Sequence, residues 1–395
     1  MKKLLALTVA AAMTLSLAAC GGNGSSTSEA SSEAASSEAT TSEAATSEGT
    51  EADAAGSSDF DATVLYYTYA DTYISSVRTA LDAELEAAGI TYQDYDSNNA
   101  QNTQNEYIDT AISNGTDLLI VNMVTSGSSD TANSICDKAE AAGIPVIFFN
   151  RAVEEDTNVG AVLGARQNIA FVGTDAPEAG HMQGAMIGNY LIENYDAVDL
   201  NGDGQISYAM FMGDASNVEA IYRTQYSVED ANAILTENGY PELVYFDSSN
   251  ESKYQLDMTG AWSAQAAMEY MQTNLSQYST ANNNMIELII CNNDNMAEGC
   301  ITALQAAGYN NGEGTTTIPV FGVDATDSAQ QLIAAGTMTG TIKQDAEGMA
   351  KCIAQLAQNV ANGEDLLANT DSYTKDTANS LDNKIFIPYQ EYTGE

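Results

Sequence analysis

Short β-branched apolar runs alternate with stretches of helical periodicity along most of the chain. Residues 63–69 form an apolar run, and 73–88 repeat apolar positions at helical spacing until Gly89 stops them. A strand at 91–95 and a helix at 102–114, closed by Gly115, come next. Then follow a buried strand at 117–123, a helix at 129–142 and another buried strand at 145–150. Such βαβαβα order requires a parallel sheet with helices on both faces. After Gly173-Thr174-Asp175 a long helix spans 177–195, and the alternation begins afresh. Strands at 206–212, 243–247, 286–292, 319–323 and 339–342 interleave with further helices. The pattern predicts an α/β chain of two doubly wound parallel-sheet domains in series. Ligands of such sheets lie beyond the carboxyl ends of the strands.

Polar residues gather at those ends. Asp71 follows the first run, Asn150 follows Val146-Ile147-Phe148-Phe149, Asn293 follows Cys291-Asn292, and Asp324 follows Val320-Phe321-Gly322-Val323. Any one of them could be a helix N-cap, a position that Asp and Asn favour. Four on separate strand ends of two facing domains point to a polar cleft for uncharged or hydroxylic cargo.

A loop between the two halves carries different chemistry. In Asp199-Leu200-Asn201-Gly202-Asp203-Gly204-Gln205-Ile206-Ser207, oxygen side chains stand at loop positions 1, 3, 5 and 9. Gly204 takes position 6 for the sharp turn and the carbonyl of Gln205 takes position 7, which is the EF-hand ligand order. Position 12 is Met210 instead of a bidentate Glu, and residues 206–211 alternate like a strand. The loop reads as half of a calcium site whose missing carboxylate comes from elsewhere. The plain alternative is a solvated, Asx-rich turn.

The start of the chain sets an expectation for compartment. Met1-Lys2-Lys3, the apolar run 4–17 and the small residues before Cys20 form a secretory signal pattern over 1–20. Its close resembles the lipobox of bacterial lipoproteins, which implies that Cys20 becomes an acylated first residue and a membrane anchor. Residues 21–58 are almost entirely Ser, Thr, Ala, Glu and Gly, with Glu29, Glu33, Glu38, Glu43 and Glu48 nearly evenly spaced. Such a segment cannot bury a core and reads as a disordered, self-repelling tether. The protein is expected outside the cell membrane, held at its outer face.

Composition removes whole classes of partner. Lys and Arg number 12 against 55 Asp and Glu, and the net charge of −43 argues against nucleic acid or anionic lipid. Past the signal there is no apolar run of 18 residues. About 335 residues remain after the tether, more than one core usually holds. Cys136, Cys291, Cys300 and Cys352 fall in apolar patterns and read as small core residues, although export would permit a bridge. A single histidine, His181, leaves little room for His-based triads or multi-His zinc sites.

Taken together, these motifs resemble the galactose/glucose-binding proteins of bacterial ABC sugar transporters, within the type I periplasmic binding protein fold. The resemblance spans about 62–389. It rests on Asp71-Thr72-Tyr73, Phe148-Phe149-Asn150, Val172-Gly173-Thr174-Asp175, the loop 199–207, Trp262, Asn292-Asn293-Asp294-Asn295-Met296, Val320-Phe321-Gly322-Val323-Asp324 and Gly340-Thr341-Ile342. It implies structural Ca²⁺ held by Asp199, Asn201, Asp203, Gln205 and Ser207, with Glu287 as the remaining carboxylate. It also implies a sugar held between the rings of Tyr73 and Trp262, because flat rings suit the apolar patch of axial C–H groups. Polar contacts would come from Asp71, Asn150, Arg223, Asn293 and Asp324, with carboxylates accepting from hydroxyls and Arg223 donating to sugar oxygens. Three positions depart from the family pattern. Asn217 and Glu219 replace a His and an Asp one turn before the arginine, and Gln344 replaces an Asn. Each added methylene shifts an oxygen by about 1.3 to 1.5 Å, so the preferred pyranose can differ from galactose or glucose.

The expected organisation is an N-terminal lobe of 59–174 plus 344–385 and a C-terminal lobe of 175–343 plus 386–395. A three-segment hinge near Thr174, Lys343 and Lys384 joins them, and a monomer docks on an ABC permease without covalent change to its cargo. Three other classes stand beside this reading. A glycosidase could pair Asp71 with Asp324, and a sugar-responsive repressor would need a basic helix-turn-helix where this chain has a signal segment. A receptor for chemotaxis or a sensor kinase would use the same cleft.

Overall fold

The computed structural model describes residues 60–394. Cys20, the signal pattern and the tether lie outside the described residues. The first half runs β1 (Asp61–Tyr66), α1 (Thr72–Ala87), β2 (Thr91–Asp96), α2 (Gln101–Asn114), β3 (Leu118–Val121), α3 (Ser129–Ala142), β4 (Val146–Phe149) and β5 (Ile169–Gly173). The second runs α4 (Ala176–Val198), β6 (Ser207–Met212), α5 (Val218–Glu237), β7 (Val244–Tyr245), β8 (Gln255–Leu256) and α6 (Ala264–Leu275). It continues with β9 (Leu288–Cys291), α7 (Asp294–Ala306), β10 (Val320–Asp324), α8 (Asp327–Ala334) and β11 (Gly340–Lys343). The chain closes with α9 (Ala346–Ala361), β12 (Thr374–Asp376), β13 (Leu381–Phe386) and β14 (Gln390–Tyr392).

Two sheets result, ordered β12-β13-β5-β4-β3-β1-β2 and β14-β11-β10-β9-β6-β7, with β8 also paired to β6. Alternation along the buried strands feeds helices on both faces. In β3, Leu118 and Ile120 pack with α1 and α9, while Leu119 and Val121 pack with α2 and α3. Leu288 and Ile290 of β9 face α4 and α5, and Ile289 and Cys291 face α6 and α7. α4 and α5 lie unusually close, since a Cβ on Gly184 would sit 2.6 Å from the Tyr226 carbonyl.

The sheets are mostly parallel, not wholly so as the pattern suggested. β12 pairs antiparallel with β13, and β14 antiparallel with β11. The short turn between β12 and β13 leaves no room for a helical crossover, so antiparallel pairing is the only option. β14 reaches the second sheet directly after β13, again without a helix. The chain crosses between sheets three times, after β5 at Thr174, after β11 at Gln344 and after β13 on the way to β14. All four core cysteines are buried and unbridged, with the Cys291 and Cys300 sulfurs 3.9 Å apart.

An enclosed polar cavity between the sheets

Element ends place the polar residues. Asp71 is the N-cap of α1, its Oδ1 accepting from the Ile74 amide at 2.8 Å. Asn217 and Asn293 cap α5 and α7 through the Glu219 and Met296 amides, each at 2.9 Å. Asn150 and Asp324 do not serve as caps, since α8 is capped by Thr326. Both hold positive φ, 59° and 124°, as does Trp262 at 55°. Non-glycine residues keep such backbone only where their surroundings over-determine it. All three border the same space.

That space lies at the strand ends, between the two sheets, and about 40 Å³ of it remains open. Asp71, Tyr73, Asn150, Asn217, Glu219, Arg223, Trp262, Asn293, Asp324 and Gln344 all line it. Tyr67, Ile74 and Arg151 complete the wall, and the sequence reading named none of these. Arg151 directly follows the quoted Phe148-Phe149-Asn150 motif and is one of only four arginines in a strongly acidic chain. That scarcity was the available signal.

Two charged clusters organise the walls. Arg223 donates through Nη1 to the Asn292 carbonyl at 3.0 Å, and through Nη2 to Glu219 Oε2 at 3.2 Å, Gln344 Oε1 at 3.0 Å and the Tyr389 hydroxyl at 2.8 Å. Glu219 in turn accepts from Thr174 Oγ1 at 2.6 Å and from the Tyr389 hydroxyl at 2.8 Å. Thr174, Gln344 and Tyr389 each belong to a different crossing between the sheets. One ion pair therefore touches all three crossings. On the opposite wall, Arg151 stacks 4.2 Å from the Tyr67 ring centroid, and the Tyr67 hydroxyl donates to Asp71 Oδ2 at 2.6 Å. Arg151 Nη2 also reaches Asp214 Oδ2 across the cleft at 3.2 Å.

The rings are built in as rigidly. Trp262 lies on Gly213, where a Cβ would stand 2.2 Å from the indole. Only glycine permits that approach. The Tyr73 ring is buried in α1, its hydroxyl directed at Met349 Sδ at 3.7 Å. Burial pushes the Asp324 carboxyl well above its usual range, and nearby Arg223 opposes that rise. Burial also opposes the charge on Arg223, but Tyr389, Glu219 and Asp324 outweigh it and raise its pKa. Three buried donors around the space find no partner in the protein: Arg151 Nε, Arg223 Nε and Gln344 Nε2. Buried polar atoms are rarely left unpaired, so these three donors mark where the hydrogen bonding of the wall is incomplete.

The loop 199–207 stands apart, wrapped round Glu287, which is wholly buried. Glu287 Oε1 accepts from the amides of Leu200 at 2.9 Å and Asn201 at 3.3 Å, and Oε2 from the amide of Ser207 at 2.9 Å. Asp199, Asn201 and Asp203 bend inward to accept loop amides at 2.8 to 2.9 Å. The Ser207 hydroxyl donates to the Met285 carbonyl at 2.7 Å and lies 3.1 Å from Glu287 Oε2, beside that carboxylate. Among the described residues no three Asp, Glu, His or Cys side chains converge as a metal cluster. The loop with Glu287 offers three carboxylates, the Asn201 amide oxygen and the Gln205 carbonyl, and in this structure the side-chain oxygens accept from backbone amides instead of converging on one point. An all-oxygen set of this kind suits a hard cation such as Ca²⁺.

Two lobes, three crossings and a polar cavity between them define a hinged solute-binding protein. The periplasmic binding protein domain matches residues 62–365, and the chain belongs to that family. It is 34% identical over 339 residues to the D-galactose/methyl-galactoside binding periplasmic protein MglB of Haemophilus influenzae, covering 86% of this chain and 91% of that one. Its fold matches a solute-binding protein from Clostridium phytofermentans with bound β-D-glucose, at TM-score 0.63 and 19% identity over 85% of this chain and 94% of that one. A Bacillus halodurans solute-binding protein with bound myo-inositol gives TM-score 0.61 and 23% identity, covering 86% and 96%. Among the described residues no helix is long and apolar enough to cross a membrane.

Proposed function

We propose that the protein captures a neutral hexose, galactose or glucose first, between its two lobes and hands it unchanged to an ABC permease. One observation carries this reading. Unpaired donors on Arg151, Arg223 and Gln344 meet the Asp71 and Asp324 carboxylates and two immobile rings around a single enclosed space. A polyhydroxylated ring supplies what each group lacks. Its hydroxyls donate to carboxylates and accept from guanidinium and amide, while its C–H faces meet Tyr73 and Trp262. The galactose and methyl-galactoside binding of the Haemophilus relative supports galactose as the leading candidate.

Capture works by closure. Asp71, Tyr73, Asn150 and Arg151 belong to the first lobe, and Asn217 to Trp262, Asn293 and Asp324 to the second. A ligand that contacts both sets is held fully only when the lobes are shut, so it shifts the population toward the closed form. Thr174, Gln344 and Tyr389 serve as the hinge. In this reading Ca²⁺ is held by Asp199, Asn201, Asp203, the Gln205 carbonyl and Glu287 and stabilises the second lobe. An acylated Cys20 holds a monomer at the outer membrane face, where the closed lobes meet the permease. Thermal-shift screening with galactose, glucose, methyl galactosides, ribose, xylose and myo-inositol tests the proposal. Stabilisation by a hexose supports it, and no response to any sugar refutes it.

A further inference from the structure

Beside the enclosed cavity lies a second and larger space of about 410 Å³, also bounded by both lobes. Asn150 and Glu219 line both spaces. Beyond them the second space extends between the start of α5, including Tyr222, and the β12–β13 turn of the first lobe. Its walls are mixed. Tyr222 offers a ring kept flat by parallel stacking on Tyr226, at 5.5 Å and 5°. Across from it Lys384 and Asp376 form an ion pair at 3.2 Å, and Asp376 is fixed by Asn379 at 2.9 Å and 3.0 Å. None of these groups takes part in the central cavity.

Resting on the hexose reading above, we propose that this side chamber is a second subsite. It admits a hexose that carries a further hydroxylated ring on the side facing Asn150 and Glu219. Three features favour that chemistry. An aromatic wall facing a charged pair suits a ring with C–H faces and hydroxyl edges. The chain's net charge of −43 works against an anionic substituent. Because both lobes border the chamber, its occupant also rewards closure, so the second ring adds affinity without disturbing the first.

Calorimetry on the purified protein tests this with galactose, glucose, their methyl glycosides, and the disaccharides lactose, melibiose, cellobiose and maltose. At least one disaccharide is expected to bind within about tenfold of its parent hexose, or more tightly. Tyr222→Ala should then weaken that disaccharide about tenfold and leave the parent hexose within about twofold. Hexose binding with rejection of every disaccharide would overturn the subsite and leave the hexose reading intact. An equal loss for hexose and disaccharide in Tyr222→Ala would also overturn it, because Tyr222 would then act only through lobe closure. If no hexose binds, both proposals fall together.

Discussion

At the scale of single residues, two carboxyls in burial carry different consequences. Asp324 lines the cavity on a backbone of φ 124°, and burial raises its pKa well above the ordinary 3.8. Arg223 opposes that rise, and sugar hydroxyls donating to both oxygens would favour the ionised form, which accepts from two hydroxyls at once, whereas an amide offers one oxygen and presents N–H to the other. Hydrogen bonds to charged groups contribute about 1.5 to 3 kcal/mol. Asp324→Asn should therefore weaken sugar binding roughly 10- to 100-fold by calorimetry, and an unchanged Kd would remove Asp324 from the contact set. Asp94 tells another story, far from the cleft in β2. Burial, then the neighbouring Asp82 carboxylate, pushes its pKa from 3.8 to about 7, with Arg78 opposing. Both aspartates leave a buried Oδ1 without a partner. Between those two pH values the folded state holds a proton that the unfolded state has released, so stability falls as pH rises through the window and is lowest above about 7. Asp94→Asn removes the titration. Its melting temperature should exceed that of the native protein at pH 8 and converge with it near pH 4. Parallel melting curves for the two proteins across that range would refute the assignment.

Whole elements were legible to different degrees, for physical reasons. β3 and β4 are continuous apolar runs because both faces are covered, and no competing pattern gives Leu118–Val121 or Val146–Phe149. β12 and β13 are not legible in the sequence, since Lys375, Asp382 and Lys384 stand in place of an apolar run and β12 is the edge strand of its sheet. Asp71 and Asn293 could be read as caps or as ligands, and they are caps that also line the cavity. Tyr67 and Tyr389 carried no local signal, because their roles depend on the distant partners Arg151 and Glu219. The loop before β6 carries the spacing from which the sequence reading expects an ion. If it holds Ca²⁺, the ion binds the folded chain and not the unfolded one, giving about 2.7 kcal/mol at 100 times Kd. For a lobe of this size that equals roughly 5 to 10 °C. Chelation by EDTA should lower the melting temperature by that amount, with readdition of Ca²⁺ restoring it and Mg²⁺ failing to. Glu287→Gln should abolish the difference. A melting curve indifferent to EDTA would leave the loop as a self-satisfied turn.

For the molecule as a whole, the Arg223–Glu219 pair sits at the cavity wall and bonds to one residue on each crossing between the lobes, so the cavity wall and the crossings share the same atoms. Tyr389 is the tightest link in that arrangement. Its hydroxyl donates to Glu219 at 2.8 Å and lies 2.8 Å from Arg223 Nη2 and 3.1 Å from Thr174 Oγ1. Tyr389→Phe keeps the buried ring and removes only those bonds. Arg223 retains Asn292, Gln344 and Glu219, so the loss should be partial, about 1 to 2 kcal/mol, or roughly 5- to 30-fold in Kd. The distinguishing readout is the radius of gyration by X-ray scattering during a sugar titration. If Tyr389 holds the hinge in its shut geometry, the variant reaches the same compact form at saturation but needs more sugar to be half closed. Its melting temperature without sugar should fall by no more than a few degrees, because the ring keeps its packing in the core of the second lobe. A variant that loses affinity yet closes at the native sugar concentration cannot exist under this coupling, and observing half-closure unchanged would show that the lobes move independently of Arg223.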